Sequence, residues 1–281
     1  MNFLALIGAS DNDILGKLGS DIAKLWRDAA PQYLRGARDT LILAVVATAV
    51  GCLIGLFCGI LQTLTYSKND LFIKKAIIWV VKIIVRVYVE VFRGTPMILQ
   101  AVFIYFGLPY LTANSLRFDV ITAAYVVVSI NTGAYMAETV RGGILSIDRG
   151  QTEGAMAIGM NHFQEMVKVV LPQTLRNIIP QIGNNLIINV KDTSVMFIIG
   201  YAELFAAHKA YVGATYLYFP SALVTMVIYL IMTVVCSLLL RLWEHLMDGP
   251  ENFNLATTDS LALTSGMNNY PRGRRKRRAA R

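Results

Sequence analysis

Four consecutive residues, Lys191-Asp192-Thr193-Ser194, carry the only charges of the expected membrane span from Ile178 to Ile199. A lysine or aspartate at the centre of a bilayer-crossing helix costs about 2.5 to 3.5 kcal/mol, against about 0.3 to 0.6 returned by each Leu, Ile, Phe or Val. Charges in such a place face a bundle interior or a water-filled cavity and mark substrate or ion pathways. Neighbouring positions on a helix do not face each other, so Lys191 and Asp192 pair directly only if the backbone is distorted. Two readings stand: a mutually neutralising pair that locks helix packing, or a helix break that lines a pathway.

Two further groups carry chemistry. Lys82, Arg86, Glu90 and Arg93 follow at steps of four, four and three, which is one helical face. The Arg86 to Glu90 step allows an ion pair, and a helix lying in the headgroups would show the same stripe. Pro96 lacks a backbone donor and frees a carbonyl, so a break is expected at Arg93-Gly94-Thr95-Pro96. The third group lies between Glu138 and Arg176. Ser146 is suited to cap a short helix and Gly159 to end it in the left-handed conformation. Gly154 and Ala155 are small and Glu153 is charged, which suits a stub that docks into a groove on a soluble protein. Glu138 and Arg141, three apart, are placed to pair and brace it.

The elements that must position these groups are membrane helices. A span needs about 20 apolar residues, and Thr40 to Leu64 supplies one without a charge. Ala76 to Phe92 with Met97 to Leu108 reads as a broken second span, followed by Val120 to Ala137, Ile178 to Ile199 and Phe219 to Leu240. The expected fold is an all-α polytopic membrane protein of five transmembrane helices. Basic residues concentrate in two loops, Lys68, Lys74 and Lys75 in one and Arg141, Arg149, Lys168 and Arg176 in the other, against Arg117 and Lys209 on the opposite face. The positive-inside rule makes the first set cytoplasmic, the N-terminus outside and the C-terminus inside, although Arg35 and Arg38 run against it. Residues 1–37 are expected to form an extracellular or interfacial segment, 38–246 the transmembrane domain with its loop at about 141–176, and 247–281 a disordered cytoplasmic tail.

Composition excludes other classes. The 281 residues are 55% hydrophobic and 16% charged, with mean hydropathy +0.52, where soluble domains are about a quarter charged. The net charge of +8 resembles a nucleic-acid binder until it is placed: Arg272, Arg274, Arg275, Lys276, Arg277, Arg278 and Arg281 account for seven of it. That basic tail suits anionic lipid of the inner leaflet. Cys52, Cys58 and Cys236 sit in apolar runs without metal spacing. His162, His208 and His245 lie far apart with no nucleophile or carboxylate pair nearby, which speaks against an enzyme. No Gly-x-x-x-x-Gly-Lys-Ser/Thr loop occurs, so the chain is not expected to bind nucleotide.

Taken together, Glu138-x-x-Arg141-Gly142, then Ser146-Ile147-x-x-Gly150-Gln151-x-Glu153-Gly154-Ala155 and Gly159, resemble the EAA loop of ABC importer permeases of the polar amino acid uptake type. Arg93-Gly94-Thr95-Pro96, Tyr105-Phe106-Gly107-Leu108-Pro109, Leu171-Pro172-Gln173 and Lys191-Asp192-Thr193-Ser194 agree in order, over about Tyr33 to Leu246. Gly154 departs from the Glu-Ala-Ala triplet and weakens local helix by about 1 kcal/mol. The resemblance implies a type I importer fold with a cytoplasmic coupling helix containing Glu153, Gly154, Ala155 and Gly159. It also implies a second permease copy or paralogue, two cytoplasmic ATPase copies that bind ATP and Mg, an extracellular solute-binding protein and a polar amino acid. The chain itself would hold no cofactor. A secondary transporter coupled to an ion gradient would explain Lys191 and Asp192 but leaves the small-residue loop without a purpose.

Overall fold

A computed structural model describes residues 11–66 and 71–248. The basic stretch from Arg272 to Arg281, with most of the expected tail, lies outside the described residues. The fold is a succession of helices: α1 (Asp11–Thr63), α2 (Phe72–Gly94), α3 (Met97–Val102), α4 (Leu108–Leu111), α5 (Val120–Leu145), α6 (Arg149–Ala157), α7 (His162–Glu165), α8 (Leu171–Asp192), α9 (Leu204–Thr215) and α10 (Tyr218–Asp248). A π-helical segment, Phe103–Gly107, joins α3 to α4, and a second, Met166–Val170, joins α7 to α8.

Helices α1, α5 and α10 are each long and apolar enough to cross a bilayer, and the run His162–Ile199 qualifies together with α9, bent by 51° between them. The expected second span is the charged α2 followed by Met97–Leu111, interrupted at the expected place, with Thr95 extended and α3 beginning at Met97. Val85 and Val89 of α2 pack with Ala137 of α5, while Ala101 and Ile104 pack with Ala123 and Ala124. The broken rod therefore runs antiparallel to α5.

Helix α1 lies parallel to α5 along a glycine seam. Gly51, Gly55 and Gly59 succeed one another at four-residue steps and face Thr132, Met136 and Val140, which do the same. A Cβ on Gly51 would stand 2.6 Å from Thr132 Cβ, and one on Gly59 2.6 Å from Val140 Cβ. Small residues at this spacing let two backbones meet in a medium where lipid supplies no hydrophobic drive between helices.

The N-terminal segment departs from expectation, because the boundary at residue 37 falls inside an unbroken 53-residue helix. At 1.5 Å per residue that rod is about 80 Å long, well beyond a hydrocarbon core of about 30 Å. Its first half packs Leu25, Ala29 and Tyr33 against Leu204, Ala207, Tyr211 and Val224. Gly36 allows the approach, since a Cβ there would lie 2.8 Å from Leu204 Cα, and nothing between Leu34 and Thr40 breaks helix.

Candidate functional site

A cavity of about 490 Å³ opens where the α2–α3 break meets α5 and α8. Its polar wall carries Arg93 from α2, Asn131, Thr132 and Tyr135 from α5, and Asn185, Asn189 and Asp192 from α8. Thr132 stands near the middle of the 26-residue α5, so the cavity lies at mid-height of the bundle.

The break is held open by side-chain amides that substitute for lost helix bonds. Gln100 Nε2 donates to the carbonyls of Phe92 and Thr95, both at 2.9 Å, and Asn131 Nδ2 donates to Phe92 O at 3.1 Å and to Gln100 Oε1 at 3.0 Å. Without such partners each carbonyl would be stranded in a low-dielectric interior. Arg93 projects from the last turn of α2, with its guanidinium 5.5 Å from the centroid of the Tyr135 ring and 4.0 Å from Glu138. Arg93, Gly94 and Pro96 thus form both a structural break and a cavity wall. Gln100 and Asn131 escaped the sequence reading because single amides inside apolar runs carry no spacing signal.

The four polar residues at the end of α8 do not act as one group. The α-helix closes at Asp192 and continues as a 3₁₀ segment, Thr193–Ile199, ending at left-handed Gly200 with φ 88°. Asp192 borders the central cavity. Lys191 and Ser194 instead line a separate recess of about 340 Å³ with His208 and Tyr229. Thr193 is buried and its hydroxyl donates to Val190 O at 3.1 Å. No Lys191–Asp192 ion pair forms among the described residues, in keeping with adjacent helical positions that diverge.

Glu203 belongs to a buried network that the sequence did not reveal. It caps α9 by accepting from the backbone of Phe205 and Ala206, both at 2.7 Å, and accepts from Tyr229 Oη at 2.8 Å. Tyr33, Ser221 and His208 form a second buried chain, with Tyr33 Oη 2.7 Å from Ser221 Oγ and His208 Nδ1 2.6 Å from it. Both networks fix α9 and α10 against α1.

Beyond the C-terminal end of α5 the loop forms two short helices, α6 and α7, set off by turns at residues 146–148 and 158–161. The cap assignment moves by two residues: Ser146 closes α5, its hydroxyl donating to Gly143 O at 2.8 Å, while Asp148 Oδ1 accepts from Gly150 N at 2.6 Å and opens α6. Ser146 cannot cap α6 because it is already in helical conformation at the end of α5. Gly159 ends α6 as expected, with φ 82°, and Met160 N donates to Ala155 O at 3.1 Å. Ala155 is buried and points inward, whereas Glu153 and Gly154 are exposed beside Met156, Ile158 and Phe163.

Gln151 and Gln173 connect this helix to α8, with Gln173 Nε2 2.9 Å from Val169 O and 3.4 Å from Gln151 Oε1. Glu138 and Arg141 do pair, at 3.1 Å, yet they face Arg93 and the α2 stripe instead of bracing α6. Gly142 is exposed beside them.

Residues 76–249 match the family described as "Binding-protein-dependent transport system inner membrane component". The chain belongs to this family of ABC transporter permeases. The permease is 37% identical over 227 residues to the glutamine transport system permease protein GlnP of Escherichia coli K12, covering 81% of this chain and 97% of that one. It is 32% identical to the arginine transport system permease protein ArtQ of Bacillus subtilis, over 74% and 88% of the two chains. The permease is also similar to the crystal structure of an amino acid ABC transporter with histidines, at TM-score 0.66 and 33% identity, covering 76% of this chain and 94% of that one. Inward-facing structures of the methionine transporter MetNI share its fold, at TM-score 0.56 and 24% identity.

Proposed function

We propose that the chain is the membrane-spanning subunit of an ATP-driven importer that takes up a polar amino acid delivered by an extracellular solute-binding protein. The observation that carries this reading is the central cavity, where a guanidinium (Arg93) and a carboxylate (Asp192) reach one space from different helices among neutral polar residues that include Asn131, Thr132, Asn185 and Asn189. A zwitterion needs that pairing: a cation for its carboxylate, an anion for its ammonium, and amides for a polar side chain. Amino acid permeases among the relatives support the substrate class over a gradient-coupled transporter.

The chain performs no catalysis in this reading. ATP and Mg bind a separate cytoplasmic ATPase dimer, which docks on α6 and the start of α7 through Glu153, Gly154 and the exposed Met156, Ile158 and Phe163. A second permease copy or a paralogue completes the pathway. In this reading α6 lies on the cytoplasmic face, which the basic loops support, α1 and α5 run inward and the tail meets anionic lipid from the cytoplasm. Closure of the ATPase shifts α6, the Gln151–Gln173 contact passes the shift to α8, and Asp192 moves relative to Arg93, a rigid-body shear of packed helices.

The test is reconstitution with the ATPase and binding protein in proteoliposomes. Uptake of a polar amino acid that requires ATP and persists with ionophores present is expected. Uptake that collapses with the ion gradient and ignores ATP overturns the reading.

A further inference from the structure

A second polar cavity, of about 440 Å³, lies between the last turn of α1, the charged face of α2 and the C-terminal half of α5. Four cations line it, Lys82, Arg86, Arg93 and Arg141, against two carboxylates, Glu90 and Glu138. Glu138 is engaged by Arg141 and Arg93. Lys82, Arg86 and Glu90 have no ionic partner among the described residues, and the Arg86–Glu90 pair allowed by their spacing does not form. Gln62 presents an Nε2 donor that is shielded from solvent and meets no acceptor. Arg93 borders this cavity and the central one alike.

We infer that this inner cavity is a second amino acid site, through which the substrate passes after leaving the central cavity. The inference rests on the importer reading. Lys82 and Arg86, with the Gln62 amide, hold the α-carboxylate, and Glu90 takes the α-ammonium. Arg93 serves one carboxylate at a time and hands it from one cavity to the other, while Glu138 stays neutralised by Arg141 when Arg93 turns away. The unpaired Glu90 argues for a zwitterion over an anionic headgroup such as that of phosphatidylglycerol, which carries no ammonium to meet it. A net excess of two cations draws the carboxylate toward the cytoplasmic end and makes the site unfavourable to a cationic side chain.

The experiment uses the permease–ATPase complex in nanodiscs without binding protein, titrated in turn with radiolabelled L-glutamine, L-glutamate, L-histidine, L-arginine and L-cystine, beside uptake of the same five by proteoliposomes containing the full system. Wild type should bind two molecules per permease chain of the amino acid it transports. Lys82→Gln/Arg86→Gln should bind one and lose at least tenfold in uptake, and Lys82→Arg/Arg86→Lys should restore both. Glu90→Gln, which removes an exposed and unpaired group and so leaves the fold intact, should also reduce the stoichiometry to one. A wild-type complex that transports one of the five yet binds a single molecule per chain overturns this inference alone, as does a double variant that keeps two. Co-purified phosphatidylglycerol lost in the double variant, with amino acid binding unchanged, assigns the cavity to lipid and overturns it too. A wild type that takes up none of the five overturns the importer reading with it.

Discussion

Asn189 of α8 donates from Nδ2 to Thr48 Oγ1 of α1 at 2.8 Å, and the same amide reaches Thr132 Oγ1 of α5 at 2.9 Å. One buried side chain therefore ties three helices together at the wall of the central cavity. Interhelical hydrogen bonds of this kind are worth about 0.6 kcal/mol on average and at most about 1.7 within a membrane, because freed hydroxyls turn to their own helix carbonyls. Asn189→Leu is expected to lower the thermal midpoint of the purified complex slightly and its uptake by tenfold or more. Thermal unfolding and transport assays on one preparation compare the two, and a large loss of stability with proportionate loss of uptake would make Asn189 a packing residue alone.

The glycine seam gives a sharper structural prediction. Gly55 faces Met136 so closely that any side chain on it must displace the α5 backbone, since a Cβ would lie 2.8 Å from Met136 C and 2.9 Å from Ala137 N. Overpacking of this kind costs about 1 to 3 kcal/mol. Gly55→Leu should leave little monodisperse protein in size-exclusion chromatography. Gly154→Ala is the contrast, because nothing lies within 4 Å of a Cβ at Gly154. It should raise the stability of α6 by up to about 1 kcal/mol through helix propensity and keep ATPase binding at wild-type strength.

The break at Pro96 was legible from sequence because proline acts through its own missing donor, independent of tertiary context. Gly159 was legible for the same local reason. Asp192 was visible as a charge in an apolar run, but its separation from Lys191 and Ser194 depends on the 3₁₀ turn that follows. Glu203 and Gln100 had no such signal. Glu203 owes its role to partners far away in sequence, Tyr229 and Thr40, and Gln100 to carbonyls that only a broken helix leaves free, Phe92 and Thr95, with Asn131 holding it in place. The glycine seam was present as Gly51, Gly55 and Gly59 but has meaning only opposite Thr132, Met136 and Val140.

Gln100 tests whether the break is a maintained structure. It is 6% exposed and satisfies carbonyls on both sides of Gly94. Losing a hydrogen bond costs about 0.5 to 1.5 kcal/mol, and Phe92 O keeps Asn131 as a donor. Gln100→Leu should therefore destabilise the complex by that amount and reduce uptake, whereas Gln100→Glu, which keeps the length but removes the donor, should be at least as damaging. Urea or thermal unfolding in detergent measures the difference, and equal stability of all three proteins would show that the break needs no amide.

Docking and coupling are separable at the α6 end. Met156 is 54% exposed, Ile158 74% and Phe163 75%, three large apolar side chains open to the surface within eight residues of chain. Gln173, by contrast, joins α6 to α8 through Gln151 and makes no part of that surface. Met156→Ser/Phe163→Ser should weaken co-purification of the ATPase by tenfold or more. Gln173→Leu should leave co-purification unchanged while binding protein and amino acid no longer raise ATP hydrolysis above its basal rate. Pull-down and stimulated ATPase assays on the two variants distinguish the roles. Full stimulation in Gln173→Leu would mean that the movement of α6 reaches Asp192 through the backbone of the π-helical turn at Met166–Val170, not through the Gln151–Gln173 contact.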